Sequence, residues 1–331
     1  MHHTIRRSSD LPRVEWVRSC IAGLVALLFV LSGVQNAFAD QVTSTIPTGS
    51  ATDVATNPIT NMVYVTHYGP GTVDIVNGSS DALISTIQLE PLAWGVAVNS
   101  ASNTVYITHY DVYATSNRKG NLSIIDGSSG AVAEVTVGID PFDVAVNPNT
   151  NMVYVSDPLA GQVFAVNGST GAVVASIPVG EAYGIAVNPA TNRVYAVYSC
   201  SLAVIDGSSS TVINTFSVSC PLPSHDVAVN QVTGAIYVSA RYSIEVFDGS
   251  TNARIASISP GCNTPYKLDV NSATAKVYVT CVNNKLLSVV DGATNSLVQT
   301  IPLDASPQDV AANLANNETY VATLSGVTVV A

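Results

Sequence analysis

A thirteen-residue pattern returns seven times along this 331-residue chain, and a sequence that repeats itself at a fixed interval has few ways to fold. Its clearest copy is DVAVNPNTNMVYV from Asp143; near-copies begin at Asp53, Gly95, Gly184, Asp226, Lys267 and Asp309. Counted between the first apolar residues of successive copies (Val54, Val96, Val144, Ile185, Val227, Leu268, Val310), the spacings are 42, 48, 41, 42, 41 and 42 residues. Helix formers are scarce within a repeat. Short apolar runs of Val, Ile, Tyr and Thr are bounded by Asn, Gly, Pro and Asp, the composition of strands and tight turns. A period near forty made of such segments predicts an all-β, seven-bladed β-propeller with one four-stranded blade per repeat.

In the third repeat the expected strands are A at Val144 to Asn147, B at Met152 to Ser156, C at Gln162 to Val166 and D at Val173 to Val179. A and B are nearly continuous apolar runs, as a sheet buried on both faces requires. Between A and B, Asn-Pro-x-Thr-Asn supplies a fixed φ and side chains that bond nearby backbone. Between C and D, an Asp-Gly or Asn-Gly pair (Asn77-Gly78 through Asp291-Gly292) is expected to supply the positive-φ residue. These carboxylates recur because the turn recurs, which argues against catalytic roles. The last repeat ends after strand C, while QVTSTIP near residue 41 matches the D strand VVASIPV of the third repeat. The N-terminal strand is therefore expected to complete the last blade and remove the exposed sheet edges of an open ring.

The repeat's letters resemble the YVTN β-propeller family. The tetrapeptide stands here as YVTH at Tyr64, YITH at Tyr106, YVSD at Tyr154 and YVTC at Tyr278, preceded by VAVNP-type and followed by VIDGS-type segments. The resemblance spans the whole repeat region and implies the propeller fold. For function it implies little, because propellers of this kind serve as secreted or cell-surface binding proteins and occasionally as enzymes.

Ahead of the repeats, Arg6, Arg7, Arg13 and Arg18 precede an apolar run from Ile21 to Leu31 and a small-x-small site, Ala37-Phe38-Ala39. Residues 1–39 thus read as a signal peptide, and 40–331 as the propeller. The product is expected to be secreted, periplasmic or held at the cell surface. The whole chain carries a formal net charge of −11, with 12 Lys and Arg against 23 Asp and Glu, and loses four of those arginines with the leader. An acidic surface disfavours nucleic acid, whose phosphates need clustered cations. A protein, small-molecule or glycan ligand is expected instead, and a monomer.

Cys200, Cys220, Cys262 and Cys281 remain after processing. An even number in an exported chain favours disulfides over a metal site, and pairing nearest neighbours gives Cys200–Cys220 and Cys262–Cys281, both on the rim of the B–C and D–A loops.

That rim is where the copies differ most. The residues entering strand A ring the channel mouth in two layers. Trp94, Phe142, Tyr183, His225 and Tyr266 give a largely aromatic ring; Asp53, Asp143, Asp226 and Asp309, with Lys267, give a largely acidic one. They form either a ligand mouth, stacking on a sugar, base or cation, or a plug of rings above turn-shaping carboxylates. His67, His109 and Asp157, at the top of strand B, make a weak candidate metal set; no cofactor is otherwise expected. Blade 2 carries an extended B–C loop from Asp111, which places Tyr110, Tyr113, Arg118 and Lys119 on the same rim. No nucleophile elbow, HExxH, phosphate-binding loop or haem-attachment motif occurs. The expectation is a ligand- or protein-binding module; a metal-dependent hydrolase or lyase with a rim site is the alternative.

Overall fold

Seven antiparallel four-stranded sheets, each ordered A-B-C-D, form a ring in the computed structural model. It describes residues 39–115, 119–219 and 226–331. Gln41–Ala331 is one compact unit; the expected signal peptide, but for its last residue, lies outside the described residues. Blade 3 comprises Val144–Asn147, Met152–Asp157, Gln162–Asn167 and Val173–Pro178, each within a residue of expectation. The seventh blade joins Pro307–Ala312, Thr319–Thr323 and Gly326–Val330 to the N-terminal strand Val42–Ile46. Ile46 pairs with Val327 and Val42 with Val330, so this N-terminal strand closes the ring.

Each blade is held by its neighbour's apolar face. The core comprises seven clusters, each shared by two adjacent blades: Tyr154, Val163 and Ile177 of blade 3, for example, pack on Ile185, Val194 and Ile205 of blade 4. Strands A to C are buried on both sides. Strand D faces solvent, as the largely exposed Ala82–Gln88 shows.

The letters of the repeat are explained by bonds between blades. The tetrapeptide Tyr sends its hydroxyl to a glycine carbonyl in the next blade's C–D turn: Tyr106 to Gly168 (3.1 Å), Tyr154 to Gly207 (3.4 Å), Tyr237 to Gly292 (3.3 Å) and Tyr320 to Gly78 (3.2 Å). The Ser or Thr two residues on donates to the next blade's strand-A entrance: Thr66 to Trp94 O (2.6 Å), Thr108 to Phe142 O (2.7 Å) and Ser156 to Tyr183 O (2.6 Å). The Asn ending strand A donates to the next blade's A–B turn, Asn57 to Asn103 at 2.8 Å and Asn99 to Asn151 at 2.7 Å. Its Oδ1 meanwhile accepts from its own turn, as Asn57 does from Ile59 and Thr60. At about 1 kcal/mol net for each buried bond, the repeated letters tie each blade to the next.

One turn differs from expectation. The glycine of the Asp-Gly pair does not hold the positive φ; that conformation falls three residues later, at Asp81, Gly130, Gly171, Ser210, Asn252 and Asn295. Glycine is needed there by close approach: a Cβ on Gly168 would lie 2.5 Å from Asn151 Oδ1 and 2.6 Å from the Tyr106 hydroxyl. The preceding carboxylate caps the turn, Asp126 accepting from Ser128 (2.8 Å) and Ser129 (2.9 Å).

Candidate functional site

An innermost strand has an open edge, and in a propeller that edge faces the channel, where its N–H groups lack ladder partners. The aspartates entering strand A fill this need across the blade boundary. Asp53 Oδ2 accepts from Val96 of blade 2 (3.1 Å), Asp143 Oδ2 from Ile185 of blade 4 (3.2 Å), Asp226 Oδ2 from Leu268 of blade 6 (2.9 Å) and Asp309 Oδ2 from Val54 of blade 1 (3.0 Å). Asp269, deeper in blade 6, does the same for Ala312 of blade 7 (2.8 Å). Three of the four sit before a blade whose own entry residue is different, Gly95, Gly184 and Lys267 following Asp53, Asp143 and Asp226, whereas Asp309 precedes Asp53.

Lys267 completes this layer. Its Nζ lies 3.4 Å from Asp143 Oδ2 and 3.4 Å from Asp226 Oδ1, tying blade 6 to blades 3 and 5. Burial raises the carboxyls, Asp226 up to about 7 and Asp269 up to about 6. Asp53 is raised by burial, and Asp309 well above its ordinary value by burial and by Asp53, to which it is hydrogen-bonded. Burial works against the Lys267 ammonium, but Asp143, Asp226, Asp53 and Asp309 prevail and hold its pKa well above the ordinary value.

Above this layer the aromatic residues meet in edge-to-face and tilted pairs across four blades. Trp94 lies 5.5 Å from Tyr68 at 86°, 5.2 Å from Tyr110 and 5.5 Å from Phe142; Phe142 in turn lies 4.8 Å from Tyr110 and 5.2 Å from Tyr183. Phe142 is the buried hub at 5 % exposure; Tyr68, Trp94, Tyr110 and Tyr183 are half-buried. Burial, then the Asp140 carboxylate and the neighbouring Tyr183, Tyr68 and Tyr266, pushes Tyr110 up to about 12.

Two cavities flank the acidic layer. The upper one, about 210 Å³, lies off the axis between blades 6, 7, 1 and 2 and is lined by Ser50, Ala51, Thr52, Asp53, Tyr68, Trp94, Tyr266, Lys267, Gln308 and Leu324. The lower one, about 310 Å³, is walled by strand A of all seven blades. Asp53 and Lys267 line both.

Of the sequence candidates, Trp94, Tyr266, Asp53 and Lys267 come together at the upper cavity, with Phe142 and Tyr183 joined to it through Trp94. Asp143, Asp226 and Asp309 line the lower one. His225, Cys220 and Arg118 lie outside the described residues. His67 and His109 are buried within their own blades: His67 Nδ1 meets Ser50 O (2.8 Å) and Nε2 meets Asp74 (3.1 Å), while His109 meets Pro91 O (3.0 Å) and Ser123 (2.6 Å). Asp157 clasps its loop, accepting from Ile139 (2.6 Å), Asp140 (2.9 Å) and Ala160 (2.8 Å). Among the described residues no group of three His, Cys, Asp or Glu gathers as a metal-binding set. Cys262 pairs with Cys281, their Cα atoms 6.2 Å apart; Cys200 is also disulfide-bonded.

The sequence reading missed Tyr68, Ser50 and Leu324. Tyr68 and Tyr110 each follow their tetrapeptide directly, in YVTHY and YITHY, and that shared fifth letter was the available signal. In the blade 2 loop, Tyr113 is 86 % exposed, and the Asp111 N–H is held by Asp140 Oδ1 at 2.8 Å. No protein-family model matches the chain, and no curated protein matches it.

Proposed function

We propose that this YVTN-type propeller is an exported binding module that takes its ligand at the upper mouth of the channel, on the face of the D–A and B–C loops. One observation carries the reading. The residues that repeat are spent on bonds between blades, whereas those that vary, Trp94, Tyr266, Gln308 and Tyr68, turn partly exposed groups toward one cavity on a rigid frame. Concave, aromatic-lined sites with a few polar groups are the usual form of small-ligand sites. The Cys262–Cys281 bond supports an oxidising compartment, and no helix among the described residues is long and apolar enough to cross a membrane.

Acrylamide quenching tests whether the mouth is open. In a Trp16→Phe background Trp94 is the remaining tryptophan, and its emission is expected to be quenched at a rate within a few-fold of free tryptophan. A Trp94 inaccessible to acrylamide would make the aromatic group a plug and remove this reading.

A further inference from the structure

We infer that the upper cavity seats a single neutral pyranose ring, stacked against Trp94 and Tyr68 and hydrogen-bonded by Gln308 and Thr52. The inference rests on the upper mouth being the binding site and goes on to name the ligand's chemical class.

Size sets the first limit. At about 210 Å³ the cavity falls below the roughly 300 Å³ at which sites for drug-sized ligands begin, so it holds one ring rather than several.

Charge sets the second. The Lys267 ammonium lines the cavity and already pairs the carboxylates of this layer, so the cation that an aromatic cage would otherwise suit finds its counter-charges taken. Asp143 and Asp226 stand 3.4 Å from the same ammonium, and Asp53 lies in the wall, so an anion meets a site whose positive charge is already balanced. A neutral ligand is left.

Ring geometry separates a sugar from a nucleobase. A base is held best between parallel faces, but Trp94 and Tyr68 meet each other at 86° and so make a corner rather than a flat slot. Such a corner accepts a puckered ring with an apolar C–H face and a hydroxylated perimeter.

The polar groups match that perimeter. Thr52 Oγ1 accepts the Tyr68 N–H at 2.9 Å, which orients the hydroxyl and leaves its proton to donate. Gln308 Nε2 is held by the carbonyls of Ser306 and Pro307, each at 3.3 Å, which leaves Oε1 to accept. A donor and an acceptor on neighbouring blades can bond adjacent hydroxyls of one ring.

The test is a fluorescence titration of the full chain carrying Trp16→Phe. The probes are the methyl pyranosides of glucose, galactose, mannose and N-acetylglucosamine, with adenosine and choline for comparison. At least one pyranoside is expected to change Trp94 emission saturably in the millimolar range. Gln308→Leu should weaken that response ten-fold or more with an unchanged melting temperature, and adenosine and choline should give none. A response to adenosine or choline alone overturns the sugar assignment while leaving the mouth as a binding site. Silence from every pyranoside overturns the inference as well; if Trp94 remains open to acrylamide, the binding-module reading survives that result, and if it is shielded, both fall.

Discussion

Asp309 of blade 7 accepts the backbone N–H of Val54 in blade 1 at 3.0 Å, across the boundary between the last blade and the first. The same N–H lies 2.7 Å from Asp53 Oδ1, and Asp309 is hydrogen-bonded to Asp53 with its pKa driven well up by burial and by that neighbour. Asp309 thus holds its proton more tightly than a free carboxyl does, and in that form it can donate to Asp53 while accepting from Val54. An amide can do both, so Asp309→Asn is expected to melt close to the parent. Asp309→Ala loses both bonds and should cost about 1–2 kcal/mol, read from denaturant unfolding. Equal losses for the two variants would show that the carboxyl is not protonated.

The buried carboxyls make stability depend on pH with a definite sign. Asp226 is raised from 3.8 to about 7 and Asp269 from 3.8 to about 6, and Asp53 and Asp309 move the same way. Over this window the folded protein binds more protons than the unfolded chain, so stability falls as pH rises from about 4 to about 7. Lys267 is raised above its ordinary 10.5; its contribution is complete below that value and is lost only in alkali, outside the window. The turn carboxylate Asp248 is lowered to about 2 by Ser250 and Thr251, and such groups stabilise above the unfolded value and weaken the fold only as pH falls below it. The melting temperature should therefore peak near pH 4–5 and decline by several degrees toward pH 8. A rise across that interval would contradict the layer as described.

Removing the cation leaves the layer uncompensated. Lys267→Met is expected to cost about 3 kcal/mol or more near neutral pH, because unpairing buried charges is expensive. The loss should shrink at pH 5, where the carboxyls take up protons instead of standing as bare charges. A loss independent of pH would point to side-chain packing alone.

Cys262 and Cys281 are 19 residues apart, and a loop of that size contributes about 3 kcal/mol in the chain-entropy account. Replacing both by Ser should lower the melting temperature by roughly 6 °C for a domain of this size. Under reducing conditions the parent should lose at least as much, because the disulfide of Cys200 is broken as well.

The fold was legible because its period is a physical necessity. Every blade must bury the same two faces, so Val54 through Val310 recur at a step of 41 or 42 residues, stretched to 48 only across blade 2, and the missing D strand could be sought at Val42–Ile46. The aromatic group was legible in part: Trp94, Phe142, Tyr183 and Tyr266 stand out as large rings at one position of the repeat. The carboxylates' partners were not, since an Asp that reaches a neighbour's N–H looks the same in sequence as one that shapes its own loop. Only the ring's curvature, which brings Asp53 to Val96 and Asp309 to Val54, separates the two. The Asp-Gly turn misled for a related reason: glycine there answers to a neighbouring blade's Tyr hydroxyl, a contact remote in sequence.

The central claim is that the varying rings at the mouth bind while the repeated residues hold the ring together. The most direct measurement is the paired melting and titration of a Tyr68→Ala/Tyr266→Ala variant against the parent, using the same pyranosides, adenosine and choline. The account predicts a stability loss under about 2 kcal/mol, as befits half-buried rings, together with at least a ten-fold weakening of whichever probe the parent binds. A loss of several kcal/mol, of the size that truncating fully buried aromatics causes, with binding unchanged, would contradict it and make the rings part of the core.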